Sequence, residues 1–482
     1  MQGFCSQFFR KLLKSNQLRL VDPIIQARRT FVTTHPLCNN LHLNFTPDTQ
    51  RHIKSNSSVL LDQLNAQLQA RKYKESVATF AGLKPLGILD SFTLTKYITF
   101  LVNRSKGLRG RGSVDKSTLD NLDDILKYAI EHQEVATAQF WSSMIKSYID
   151  LNLYDKAALL ADMALSHIEF LHNDTKILSS LYLCILHAKL LNDSTFDQCS
   201  QIGSRIHEHL GGREAIDELV AVYLIYAVFP DPPIQKKAHQ ALVNLKGLTS
   251  YHSEIVLSVL AHKEYFDDGS EYLLKSNLND YNLPSVYTTV WYLQKMFEHE
   301  ESVWPLMPIL EYHLEVSPRN VSRLTNCILS LALKQPISNE KDRGKVEKFI
   351  NNLLNRVFEE KRYEPTIATA NALFTVASRL RDEKWLFTAL DLISNYELEP
   401  SHVTYRSLLI TYTNLPSTFE QITQTWRQLE TLFSERSLPV TEKELSILSN
   451  CVNSQPEREN QNACLEFLGQ QLNKYVTKKV FT

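Results

Sequence analysis

The sequence predicts an all-α protein, a right-handed α-α superhelix (solenoid) of tandem helix-turn-helix repeats. Apolar residues recur at intervals of three and four positions along much of the chain. A stretch with this pattern occurs twice, beginning 35 residues apart at Pro365 and Pro400. Glycine is scarce, 13 of 482 residues, which disfavours hairpins and phosphate-binding loops because both need glycine. One pair of short helices cannot bury its own apolar face, so a recurring pair implies a stack.

The best-preserved repeat spans residues 367–401. Leu373, Phe374 and Ala377 recur at helical spacing in its first run, and residues 386–393 repeat the pattern in a second. The repeat therefore contains two short amphipathic helices, and the next copy begins directly after it.

The pattern divides the chain into four segments. These are a mitochondrial transit peptide (1–34), an irregular linker (35–56), a degenerate helical-repeat region (57–335) and C-terminal repeats (336–482). The longest uninterrupted apolar run, Leu219 to Phe229, is short of the roughly 20 residues that span a bilayer. We therefore predict no transmembrane segment and expect this run to form a buried helix.

The first 34 residues carry basic and apolar side chains with a single acid, Asp22. A basic, acid-poor amphipathic leader is typical of mitochondrial import, although an ordinary basic tail is the alternative. We expect a protein of the mitochondrial matrix or of the matrix side of the inner membrane. The leader holds a net charge of +5 in a chain whose net charge is −1, so without it the charge falls to about −6. An RNA-binding surface would thus have to be local.

Sequence motifs for chemistry are lacking. The seven cysteines are scattered without a CxxC pair, and HExxH, GxSxG and GxGxxG do not occur. His207 and His209 are two residues apart, so on a helix they do not face one ligand. We predict a protein that is not an enzyme and has no cofactor, metal site or disulfide.

One glycine-rich basic loop, Ser105 to Lys116, stands out. It does not match the phosphate-binding loop pattern. The loop is either a solvated linker between repeats or a flexible contact to a phosphate backbone through Lys106, Arg109 and Arg111.

Two parts of the chain, 138–172 and 365–412, resemble the pentatricopeptide repeat family, in its degenerate fungal mitochondrial form. The residues that carry the resemblance are Trp141, Met144, Ile145, Tyr148 and Ala157 in the first part, and Glu399, Pro400, Val403, Thr404, Tyr405, Leu408, Leu409 and Tyr412 in the second. The competing family is the tetratricopeptide repeat, which needs a small residue where this chain has Ile98, Ile145, Phe374 and Leu409. Ala157 and Ala164 suit either family.

The resemblance implies sites for single-stranded RNA, about one base per repeat, at the second and fifth residues of each first helix and at the last residue of the repeat. These positions are Ala368, Asn371 and Ser401 in one repeat, Val403 and Arg406 in the next, and Gln139, Ser142 and His172 in the earlier one. An Asn at the fifth position with a polar last residue implies a pyrimidine, whereas Arg406 suits a phosphate or stacking on a base.

The resulting expectation is a non-catalytic mitochondrial RNA-binding protein that supports the stability, processing or translation of an organellar transcript. Its partners would be single-stranded mitochondrial RNA and the mitochondrial ribosome or inner-membrane-associated expression machinery, with no DNA. The alternative is a tetratricopeptide-like scaffold for protein partners, such as a respiratory-complex assembly factor or a ribosome-associated factor. A scaffold predicts no positively charged face on the first helices.

Overall fold

The structure, a computed structural model, describes residues 47–108, 114–168, 171, 175–210, 216–229, 232–276, 278, 281–317, 321–360, 363–436, 438–455 and 458–479. These residues form 22 α-helices and no strand. The predicted all-α class is therefore confirmed. The predicted transit peptide, linker residues 35–46, Arg109, Arg111 and His172 lie outside the described residues.

The helices form eleven consecutive pairs, in which odd-numbered helices come first. The first helices are α1 (Pro47–Gln69), α3 (Ser91–Leu108), α5 (Ala138–Asp150), α7 (Thr175–Leu191), α9 (Ile216–Val228), α11 (Ser250–His262), α13 (Val286–Glu300), α15 (Val321–Ala332), α17 (Ile367–Leu380), α19 (His402–Asn414) and α21 (Glu442–Asn453). The second helices are α2 (Tyr73–Leu83), α4 (Lys116–Glu131), α6 (Tyr154–His167), α8 (Phe196–Leu210), α10 (Pro232–Asn244), α12 (Phe266–Lys275), α14 (Leu306–Val316), α16 (Glu340–Leu354), α18 (Glu383–Asn395), α20 (Phe419–Glu435) and α22 (Arg458–Lys479).

The chain divides into two compact units, residues 1–225 and 226–482. In the first unit, α1, α3, α5 and α7 pack against one another in succession. In the second unit, α11, α13, α15, α17, α19 and α21 do the same, while α10, α12 and α14 pack in a parallel row of second helices. Each unit thus has a layer of first helices backed by second helices, as expected of stacked repeats.

Hydroxyl side chains fix where many first helices begin. Each accepts a hydrogen bond from a backbone N–H of the first turn, which has no partner inside the helix. The capping residues are Thr137, Thr249, Ser285, Ser401 and Thr441. A cap of this kind stabilises a helix by about 1 kcal/mol.

The turn between the two helices of a repeat uses left-handed backbone at residues other than glycine. Six first helices are followed by such a residue, namely Arg71, Asn152, Asp193, Glu264, Glu301 and Arg381, with φ between 49° and 61°. Of the six, only Asn152 is of a type that, like glycine, adopts this conformation at lower cost. The low glycine content therefore does not prevent the tight turn that returns the second helix onto the first.

The core lies between the layers and includes a close approach of two helices in the 138–172 repeat. Trp141 on α5 and Ala157 on α6 are both buried, and the two helices pack together. Gly269 on α12 allows a similar approach, because a Cβ there would lie 2.9 Å from the ring and hydroxyl of Tyr292. Small residues at these positions let the helices pack closely.

Two features differ from the sequence pattern. The first helix begins at Pro47 rather than at residue 57, because eight of its first ten residues are polar and the other two, Pro47 and Ile53, form no apolar period. The apolar run 219–229 falls largely in α9 but is not wholly buried, since one side of the helix exposes Tyr226. Pro232 and Pro308 lie in the first turns of α10 and α14, where backbone N–H groups are unpaired anyway.

No described helix is long and apolar enough to cross a bilayer.

Candidate nucleic-acid interface

Four of the predicted RNA-contacting residues lie on two adjacent helices of the second unit. Ala368 and Asn371 are one turn apart on α17, and Val403 and Arg406 are one turn apart on α19. Because α17 packs directly against α19, these residues belong to neighbouring rows of one layer. Gln139 and Ser142 hold the same two positions on α5 of the first unit.

The second-position residues reach solvent. Gln139, Ala368 and Val403 are exposed, whereas the fifth-position residues Ser142 and Asn371 are partly covered. The Oδ1 atom of Asn371 is buried and has no hydrogen-bond partner among the described residues. A buried amide oxygen without a partner costs free energy, so a ligand that donates a hydrogen bond to Asn371 would recover part of that cost.

Ser401 has a structural role that its predicted contact with RNA does not require. Its hydroxyl caps α19 by accepting from the backbone N–H of Thr404, while the Thr404 hydroxyl accepts from the Ser401 N–H at 3.0 Å. This reciprocal pair satisfies two N–H groups at the helix start. The prediction that Ser401 contacts a base stays a prediction.

Arg406 forms an ion pair with Glu444, the third residue of α21. The Glu444 side chain is completely buried, and the Arg406 guanidinium also lies 5.5 Å from the ring of Phe433. Burial opposes ionisation of Glu444, but the hydrogen bonds with Thr441 and the charge of Arg406 outweigh it, so the pKa of Glu444 lies below its usual value. Arg406 thus links the first helices of two repeats, and its predicted contact with RNA is untested.

Two exposed aromatic residues occupy the second position of other first helices. Tyr287 on α13 is 4.4 Å from the guanidinium of Arg323 on α15, and Phe92 on α3 is 4.2 Å from the ammonium of Lys96. An aromatic face beside a cation can stack on a nucleobase and attract a phosphate. Sequence reasoning missed these residues because it located neither helix start well enough to count to the second residue.

Charge is distributed unevenly between the two layers. Six first helices (α3, α5, α7, α15, α17 and α19) contain one acidic residue among them, Asp150, and each contains one to three basic residues. Each second helix paired with them contains two to four acidic residues. The layer of first helices in each unit is therefore the less acidic one, although the whole chain has almost no net charge.

The described cysteines form no disulfide with one another, and no group of histidine, cysteine, aspartate or glutamate side chains among the described residues could hold a metal ion. His207 pairs with Glu218 instead.

Comparison with known proteins identifies the repeat family, which the geometry alone does not decide. No protein-family model matches the sequence. However, the chain is 53% identical over 475 residues to "Pentatricopeptide repeat-containing protein 8, mitochondrial" of Schizosaccharomyces pombe, with 98% of each chain covered. The chain belongs to the pentatricopeptide repeat family. The resemblance of residues 138–172 and 365–412 is thereby confirmed, in preference to the tetratricopeptide alternative.

A solved structure supports the pentatricopeptide repeat fold. Yeast Rmd9p in complex with a 16-nucleotide target RNA aligns with a TM-score of 0.57 and 14% identity, over 88% of this chain and 92% of that one. At this identity the match shows the helical-repeat solenoid and nothing of the ligand. A maize pentatricopeptide repeat protein aligns at a TM-score of 0.22 and 12% identity over 84% of this chain and 73% of its own, which is too low to support an argument.

The S. pombe relative is named as a mitochondrial protein, in agreement with the location that the leader predicts. This pentatricopeptide repeat protein is accordingly mitochondrial.

Proposed function

We propose that the protein binds single-stranded mitochondrial RNA on the first helices within its units, without catalysing a reaction. The observation that carries the proposal is the distribution of charge, since acidic residues are concentrated on the second helices and nearly missing from six first helices. A polyanion is repelled least by that layer, where basic residues also occur on every one of the six helices. Solved Rmd9p, which shares the fold, holds RNA.

The residues that meet the RNA would combine stacking with polar contacts. Tyr287 and Phe92 present aromatic faces, Asn371 has an unpartnered amide oxygen, and Ala368 and Val403 leave room at the second position. Base stacking tolerates different sequences, and amide groups discriminate between base edges. The bound RNA would thus be read at a few repeats rather than along the whole array.

The proposal includes the step that this binding serves. A protein that covers a transcript without cleaving it would support its stability, processing or translation, in the matrix or on the matrix side of the inner membrane. The mitochondrial ribosome or the inner-membrane expression machinery would be its neighbours there.

Filter binding of the purified full chain tests the proposal. We expect salt-sensitive binding of single-stranded mitochondrial transcripts and much weaker binding of duplex RNA of the same sequence. Arg323→Glu on first helix α15 should weaken binding and flatten the salt dependence by about 0.7 in slope per lost phosphate contact. Arg427→Glu on second helix α20 is the matched control, since it makes the same charge change in the other layer, and it should bind like the unaltered protein. Equal losses in the two variants would contradict the proposal.

A further inference from the structure

Two consecutive first helices, α9 and α11, differ in charge from the first helices on either side of them. They contain Asp217, Glu218 and Glu254 between them, and neither contains a lysine or an arginine. By contrast, α3, α5 and α7 before them and α13, α15, α17 and α19 after them each contain at least one basic residue. An RNA backbone that crossed α9 and α11 would find no cation there and would lie near acidic side chains, which is unfavourable.

The second and fifth positions of this stretch are already used by the fold. Ser179, the fifth residue of α7, donates a 2.6 Å hydrogen bond to the carboxylate of Asp217, the second residue of α9, and both residues are buried. Val220, the fifth residue of α9, is completely buried. Side chains that are paired or covered in this way are not available to hydrogen-bond a base edge.

Both helices also present little surface. Every residue of α11 is described, and none of them is exposed. In α9, which is described throughout, Tyr226 is the one exposed residue. In contrast, α17 and α19 each expose three residues. Charge, hydrogen bonding and burial therefore all indicate an interruption at α9 and α11 in the series of first helices that can hold RNA.

On the basis of the proposed function, we propose that the protein binds RNA as two separate single-stranded tracts. One tract lies on α3, α5 and α7 of the first unit, where Phe92 is beside Lys96, and the other on α13, α15, α17 and α19 of the second unit, where Tyr287 is beside Arg323. Between the tracts about two nucleotides are not held, since a repeat holds about one base and two repeats are passed over. The substrate class is thus an RNA with two single-stranded tracts and a spacer of any sequence.

Hydroxyl-radical footprinting tests the number of tracts, with the full chain bound to an end-labelled mitochondrial transcript that the filter-binding assay retains. We expect two protected tracts with about two reactive nucleotides between them. A single protected tract, long or short, would overturn the two-tract inference and leave the proposed function intact. If the filter retains no mitochondrial transcript, the proposed function itself fails, and the two-tract inference fails with it.

Two charge reversals assign the tracts to the two units. Lys96→Glu on α3 and Arg323→Glu on α15 should each weaken binding about tenfold, and at saturating protein each should remove the protection of a different tract. Lys237→Glu on second helix α10 is the matched control, and it should keep both tracts and the affinity of the unaltered protein. All three residues are exposed, so the variants should fold normally. Loss of the same tract in both first-helix variants would overturn the two-tract inference.

Neutral methylphosphonate linkages in the same transcript test the spacer. Placed at the reactive nucleotides between the tracts, they should leave the dissociation constant unchanged, because no lysine or arginine of α9 or α11 is available to those phosphates. The same substitution at two nucleotides inside either tract should weaken binding about fivefold and flatten the salt dependence. An equal loss at the spacer and inside a tract would contradict two separate tracts.

Discussion

Arg406 on α19 and Glu444 on α21 form an ion pair that joins the first helices of two consecutive repeats. The glutamate is fully buried and hydrogen-bonds with Thr441, which caps the same helix. A residue expected to contact RNA therefore already has a partner inside the protein. Changing each member of the pair in turn separates the contribution of Arg406 to repeat stacking from its contribution to RNA binding.

Arg406→Gln should lower the free energy of unfolding at pH 7 by about 3 kcal/mol, because it leaves a buried carboxylate without its cation. Glu444→Gln also breaks the ion pair, but it leaves the Arg406 guanidinium in place without its carboxylate partner. Urea denaturation measures both losses. If Arg406 contacts RNA, then at a temperature where both variants are folded Arg406→Gln weakens filter binding and Glu444→Gln does not. Equal weakening in the two variants would restrict Arg406 to a structural role.

Stability should fall as the pH drops from 6.5 towards 4, because of His313. This residue of α14 is buried, both ring nitrogens have no hydrogen-bond partner among the described residues, and burial lowers its pKa to about 4. The unfolded chain takes up a proton near pH 6.5 that the folded chain refuses until about pH 4, which costs about 3 kcal/mol across this window.

His313→Leu removes that titration and the two unsatisfied nitrogens. The free energy of unfolding of this variant should vary less between pH 6.5 and 4. The stability that is lost below pH 4.5, as Glu444 with its lowered pKa takes up a proton, should be lost in the variant too. Thermal melts across this pH range measure both. A pH dependence identical to that of the unaltered protein would contradict the assignment to His313.

Gly269→Ala should destabilise the protein by about 1–3 kcal/mol. The added methyl group would lie 2.9 Å from Tyr292, whose hydroxyl is held by the carbonyl of Phe266 at 2.7 Å and so cannot move freely. Gly344→Ala on α16 is the control, since nothing lies within 4 Å and alanine favours the helix by about 0.5–1 kcal/mol. Chemical denaturation should give opposite signs for the two substitutions.

The sequence was sufficient to predict the helices whose apolar residues recur at helical spacing. Leu373, Phe374 and Ala377 are all buried, and the interval from Ile367 to His402 contains a complete helix pair. Helices with little apolar period could not be located in this way, as the polar start of α1 at Pro47 shows. The left-handed backbone of the turn at Arg381 was equally hidden, because this conformation at a residue other than glycine has no sequence signal.

The candidate site was predictable only in part, for a different reason. Counting from a helix start identifies the second and fifth positions, and the structure places Asn371 at the fifth residue of α17, as counted. Whether such a side chain is available depends on contacts between repeats, and the 37 residues between Arg406 and Glu444 contain no sign of their pairing. The unpartnered oxygen of Asn371 likewise follows from packing rather than from residue type.

Ultraviolet crosslinking of the full chain to single-stranded mitochondrial RNA, with mass spectrometry of the crosslinked peptides, tests the central claim most directly. RNA bound along the first helices predicts crosslinks in α13, α15, α17 and α19, with Tyr287 among the modified residues. Crosslinks concentrated in α18 and α20, on the layer of second helices, would contradict it.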